Sequence, residues 1–127
     1  MHTPDRTITK VVRHANQAMS GGSFVAFFSL VIVPDLAVAI PIAIQKEDSP
    51  ASARAFPAIE RGLKHFIAWR LEQRTPVSGF RMYVTDVVEH PDFKEFRFVE
   101  ATIIALKDIF DLHEILTGAP QNQNTIS

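Results

Sequence analysis

The order of patterns along the chain predicts an α+β two-layer sandwich, β-β-β-α-β-α, with both helices on one face of the sheet. Three observations carry that reading. A run of β-branched and aromatic residues from Phe24 to Ile44 is cut in the middle by Pro34 and Asp35. Two later segments, Phe56 to Leu71 and Phe96 to Leu116, repeat apolar residues at helical spacing. Between them, Val77 to Val88 alternates apolar and polar side chains with the period of a strand.

The first strand is expected over Thr7 to Arg13, where β-branched and polar residues alternate. Ser20-Gly21-Gly22-Ser23 is a turn signal, because paired glycines supply positive φ without steric cost. Phe24 to Val33 is the second strand and Ala37 to Gln45 the third. Pro41 pushes the third towards a sheet edge, since proline cannot donate to the ladder. The whole stretch is about as long as a membrane span, but Pro34-Asp35 divides it into two pieces of strand length, so no membrane partner is expected.

In the first helix Phe56, Ile59, Leu63, Phe66, Ile67 and Leu71 define an apolar face, with Pro57 expected in the first turn. Gly62 in mid-helix costs about 1 kcal/mol relative to alanine, which implies a packing reason such as close approach to a strand. Thr75-Pro76 is expected to end this helix. On the fourth strand Phe80, Met82, Val84 and Val88 share one face, and Arg81, Tyr83 and Thr85 the other. Asp92 is the expected N-cap of the last helix, with Glu95 three residues on. Phe96, Val99, Ile103, Leu106, Phe110 and Leu116 are expected to line its core face, and Gly118 and Pro120 to stop it. Residues 1–120 thus read as one domain, followed by a polar tail, 121–127, that is expected to be disordered.

With no cysteine, thiolate metal sites, cysteine nucleophiles and disulfides are excluded. No apolar signal segment is visible at the N-terminus, and a cytoplasmic location is the expectation. The net charge of −1 hides an asymmetry. Residues 51–75 hold five bases against two acids, whereas residues 86–114 hold eight acids against three bases. None of the five histidines forms a metal-ligand spacing with another, and Ser20 has no assignable base. The reading is therefore a non-catalytic binding domain without a cofactor or metal.

Two surfaces are candidates for that binding. Lys10, Arg13 and His14 near the start, with Arg61, Lys64, Arg70 and Arg74 on the first helix, are the basic side chains that could meet phosphate. The second strand is apolar on both faces: Phe24, Ala26, Phe28, Leu30 and Ile32 on one, Val25, Phe27, Val31 and Val33 on the other, with Ser29 the exception. A sheet covered by helices on one side only then needs a second cover. A homodimer formed through the open face or through edge strands is expected, with Phe24, Phe27, Phe28 and Val31 as its contacts. A loop or tail lying over the sheet is the alternative.

Ala55-Phe56-Pro57-Ala58-Ile59-Glu60-Arg61-Gly62 resembles the stretch that opens the first helix of domain IV in translation elongation factor G, where an aromatic and one further residue precede Pro-Ala-Val/Ile-Glu-Lys/Arg-Gly. Gln17 to Ser23 is similar to that family's Gln-Ser/Thr-Gly-Gly turn, before a strand that ends at a proline, here Pro34. Pro76, Asp86 and His90 follow the spacing of its Pro-Val strand and Asp-Gly-Ser-Tyr-His loop. The resemblance covers about Arg13 to Phe110, and the Pro57 to Gly62 motif is its most specific part. It implies the ribosomal protein S5 domain 2-like fold with a left-handed crossover, and an association with the ribosome or RNA in which His90 lies at a contacting tip loop. Two departures stand out. Ser23-Phe24-Val25-Ala26-Phe27 replaces the family's Gly-Gln-aromatic tip, and Val87-Val88 replaces its Gly-Ser. The chain also carries no Gly-x-x-x-x-Gly-Lys-Ser/Thr motif, so a stand-alone domain without the GTPase is expected. The runner-up is a self-associating interaction domain that has lost the translation role.

Overall fold

The computed structural model describes residues 2–15, 24–88 and 93–116. Six elements follow the expected order: β1 (Ile8–Ala15), β2 (Phe24–Pro34), β3 (Ile42–Gln45), α1 (Pro50–Glu72), β4 (Phe80–Thr85) and α2 (Glu95–Leu116). They form a four-stranded sheet in the order β1-β2-β4-β3. β1 and β4 flank β2 in antiparallel register, and β3 runs parallel to β4 at the edge. A parallel pair cannot be joined by a tight turn, so α1 supplies the crossover from β3 to β4.

Period-two alternation in the strands decides the layers. Ala26, Phe28, Leu30 and Ile32 of β2, with Phe80, Met82 and Val84 of β4 and Val12 of β1, turn to the helices and are buried. They meet Ile59, Leu63 and Phe66 of α1 and Phe98, Leu106 and Phe110 of α2. Aromatic rings knit the layers: Phe28 stacks on Phe98 at 5.6 Å, and Phe110 lies 5.5 Å from Phe66 and 5.4 Å from Phe80. Phe28 is therefore not a self-association contact, since it is 0% exposed beneath α2.

Several boundaries differ from the sequence reading, each for a local reason. β3 is only four residues long, because the chain turns after β2. The Asp35 carboxylate accepts from the Ala37 amide at 3.1 Å and the Asp35 carbonyl from Val38 at 3.0 Å. α1 begins at Pro50, not near Phe56. Ser49 caps it by accepting the Ser52 amide at 3.0 Å, and Pro50 occupies the first turn. Pro57 consequently lies inside the helix. β4 stops at Thr85 because Asp86 takes a left-handed backbone, φ 57°, which a short polar side chain tolerates.

The helix faces are also rotated from expectation. On α2 the buried residues are Phe98, Ala101, Thr102, Ala105, Leu106, Ile109 and Phe110, whereas Phe96 is 54% exposed. Ala101 and Ala105 are small where α2 lies beside β1, and Gly62 of α1 packs directly against α2 at Thr102. A Cβ there would lie 2.7 Å from Thr102 Cβ and 3.0 Å from the Val99 carbonyl. Its packing reason is thus α2 and not a strand. The Ser20 to Ser23 turn, the Asp92 cap, Gly118, Pro120 and the tail lie outside the described residues.

Candidate binding surface

The helices leave the second face of the sheet uncovered by any described element. Thr9, Val31, Tyr83 and Ile44 form one cross-strand row on it. Val33, Arg81 and Ile42 lie to one side of that row, and Val11, Ser29 and Thr85 to the other, with Arg13 paired to Phe27 beyond them. Val11 is 48% exposed and Ile42 47%, while Phe27, Val31, Val33, Ile44 and Tyr83 are half-buried.

Three cations sit on it, each beside an aromatic ring. The Arg13 guanidinium lies 5.6 Å from the centre of the Phe27 ring. Lys46, immediately after β3, holds its ammonium 5.0 Å from the Tyr83 ring. Arg81 lies 5.4 Å from the same ring and donates through Nη1 to the Tyr83 hydroxyl at 2.6 Å. Such contacts are favourable because the ring face carries partial negative charge, and each is worth about 0.5–1 kcal/mol at a wet surface.

The acids around this face are engaged. Asp35 Oδ2 lies 3.2 Å from Arg81 Nε, a charge contact without hydrogen-bond alignment, and its other oxygen caps the turn at Ala37. Glu47 accepts the Val87 amide at 2.7 Å. Arg81 is thereby fixed between a carboxylate and a phenol, and Tyr83 is fixed with it. Lys46 and Arg13, by contrast, are solvent-exposed residues.

The structure does not bring the sequence candidates together. Arg13, Phe27 and Val31 share the open face. Lys10 points to the other layer and pairs with Asp108 of α2 at 3.7 Å. Arg61 pairs with Glu95 at 3.3 Å across the two helices. Lys64 borders a separate apolar groove of about 400 Å³ between α1 and β3, lined by Ile40, Ile42, Leu63, Ile67 and Leu71. Arg70 is buried, donating from Nε to the Thr75 carbonyl at 2.7 Å and lying over Phe66 and Phe110. His90, and the side chains of Phe24 and His14, lie outside what is described.

Sequence reasoning missed Lys46, Arg81 and Tyr83 as one cluster. The alternation of Arg81 and Tyr83 was visible, but only the parallel pairing of β3 with β4 places Lys46 beside them. Among the described residues no helix is long and apolar enough to cross a membrane, and no three His, Asp or Glu side chains group as metal ligands do.

Comparison with known proteins is sparse. No family model matches the chain, and no curated protein does. Among solved structures, it is similar to ttk003000868 from Thermus thermophilus, with a TM-score of 0.60 and 19% identity. The match covers 84% of this chain but 16% of that one, so the same arrangement forms a small part of a much longer protein. At that identity the likeness establishes the shared α+β fold.

Proposed function

We propose that the chain is a non-catalytic binding domain related to domain IV of elongation factor G, with the ribosomal protein S5 domain 2-like fold, and that it contacts RNA or the ribosome in the cytoplasm. The observation that carries this reading is the open sheet face, where basic side chains from three parts of the chain gather over aromatic rings. Polyanion binding draws on local clustering of cations, and a net charge near zero does not oppose it. Two further features support the kinship. The element order is that of the resemblance, and its most specific motif ends at Gly62, which packs directly against α2. A solved protein in which the fold occupies 16% of the chain also fits a unit that occurs inside a long multidomain protein.

Self-association is the second reading, favoured by the apolar centre of the same face, Val11, Val31, Val33, Ile42 and Ile44. Its size argues for a weak dimer. Four strands about 4.8 Å apart, paired over about six residues, give roughly 400 Å² of projected face. A stable interface uses about 800 Å² of accessible surface per partner.

Co-sedimentation with ribosomes tests the first reading. Pelleting at low salt that disappears at high salt is the expected result, because phosphate contacts release counterions on binding. Absence from the ribosomal fraction at every salt concentration, with a concentration-dependent dimer in sedimentation velocity, overturns it for the second.

A further inference from the structure

We infer that the open sheet face is a platform for single-stranded nucleic acid, with bases stacking at Phe27 and Tyr83, phosphates meeting Arg13 and Lys46, and Arg81 holding the Tyr83 ring in place. The inference rests on the RNA reading above and names the form of the ligand and the side chains that take it.

Four properties of the face select this ligand. First, it presents aromatic rings from adjacent strands, β2 and β4, on the side of the sheet that the helices leave open. Tyr83 pairs with Val31, four residues along β2 from Phe27, so the two rings stand roughly 14 Å apart at strand spacing. That separation suits bases two or three nucleotides apart on an extended strand. It does not suit a duplex, whose bases are stacked on each other and hidden from a flat sheet.

Second, the cations complement a backbone that runs past those bases. Lys46 and Arg81 flank Tyr83 at 5.0 and 5.4 Å, and Arg13 flanks Phe27 at 5.6 Å. Asp35 neutralises Arg81, and Glu47 is committed to the Val87 amide, which leaves the exposed Arg13 and Lys46 as the cations for phosphate. Third, the key ring is held in place before any ligand arrives, through the 2.6 Å bond from Arg81 to its hydroxyl. A preordered ring costs less entropy on binding than a free one. Lys46 is an exposed residue and can leave the ring for a phosphate as a base takes its place.

Fourth, the surroundings of the rings are β-branched and sequence-neutral: Val31, Thr85, Ile44 and Val33. They offer contact area without a fixed donor–acceptor code. The face therefore predicts tolerance of sequence, with affinity from stacking and charge.

Fluorescence polarisation of the full chain with labelled dodecauridylate tests this. The expected result is saturable binding whose logarithm falls with log salt at a slope of about 1.4, from two phosphate contacts on a single strand. Between about 50 and 200 mM salt that is a loss of roughly 7-fold. Tyr83→Ala and Phe27→Ala each weaken binding about 5- to 100-fold, whereas Tyr83→Phe keeps the ring, loses only its anchoring bond and weakens binding less than Tyr83→Ala. Urea midpoints of the variants separate lost stacking from lost folding. A duplex of the same length should compete poorly.

Polarisation that stays flat at low salt overturns the inference, as does binding that Tyr83→Ala leaves intact in a folded protein. A dimer that Tyr83→Ala dissolves assigns the face to a second copy and overturns it too. Ribosome pelleting that survives Tyr83→Ala removes this inference and leaves the domain reading standing. Oligouridylate binding without pelleting does the reverse.

Discussion

Replacing Gly62 by alanine sets two known effects against each other at one atom. Alanine is the better helix former by about 1 kcal/mol, so an exposed mid-helix glycine would gain stability from the change. Here the added Cβ would meet Thr102 Cβ at 2.7 Å, Thr102 Cγ2 at 3.0 Å and the Val99 carbonyl oxygen at 3.0 Å. Two of those three atoms belong to the α2 backbone or are bonded directly to it, so no rotamer change relieves the contact. The helices must part by several tenths of an ångström, and Phe66, Phe110, Leu63 and Leu106 lose part of their packing as they do. Overpacking of this kind costs about 1–3 kcal/mol, and a radial gap of about 0.5–1 Å forfeits a quarter to a half of each contact.

The overpacking effect wins, and a net loss of about 1–2 kcal/mol is expected. Urea denaturation followed by Trp69 fluorescence reads it directly. The contact is to Cβ, which sharpens the test. Thr102→Ala should not rescue Gly62→Ala, since it keeps the offending atom, but Thr102→Gly should recover about 1 kcal/mol of coupling in a double-mutant cycle. A Gly62→Ala variant more stable than wild type would refute the reasoning, because α1 and α2 could not then be as close as described.

Three further substitutions probe the layers and the helix ends. Phe28→Ala should cost about 3–5 kcal/mol, as a fully buried ring stacked on Phe98 is lost, while Phe27→Ala on the open face should cost far less; equal losses in urea midpoints would contradict the assignment of faces. Ser49→Ala removes the oxygen that accepts the Ser52 amide and should lower stability by about 1 kcal/mol, with Ser49→Asp restoring most of it. Arg74 sits just past α1 with φ 62°, a conformation costing a side chain about 1–2 kcal/mol, so Arg74→Gly should raise the thermal midpoint or leave it unchanged, and a clear fall would show that the Arg74 side chain contributes more than its strain costs.

Much of this arrangement was legible in the residues, for physical reasons that also mark the limit. Pro34 and Asp35 had to interrupt the apolar run, and the switch from period two to period 3.6 after Pro50 had to mark a helix. Element order followed from those two facts. The helix faces were harder to place, because α2 is apolar nearly all round. Phe96, Ile103 and Ile104 compete with Phe98, Leu106 and Phe110 for the core, and only the sheet can choose between them. The buried Thr102 carries no hydrophobic signal, although it lies where α2 meets Gly62 of α1.

The start of α1 was missed because Pro50 to Ala55 has no amphipathic pattern to mark it, only a serine cap ahead of small residues. The binding surface was least legible of all. Arg13 and Phe27 are directly paired across β1 and β2, yet Lys46 and Tyr83 are joined only by a parallel register that no local pattern encodes. Charge counts pointed instead to the first helix, where Arg61 is tied to Glu95 and Arg70 is buried.

The claim on which the account turns is that binding uses the uncovered side of the sheet. Backbone amide shifts recorded while dodecauridylate is titrated into the isotope-labelled chain test it most directly. Perturbations should centre on Arg13, Phe27, Val31, Lys46, Arg81 and Tyr83 and spare the outer surfaces of both helices. Shifts gathered instead around Arg61 and Lys64, or none at saturating ligand, would contradict it.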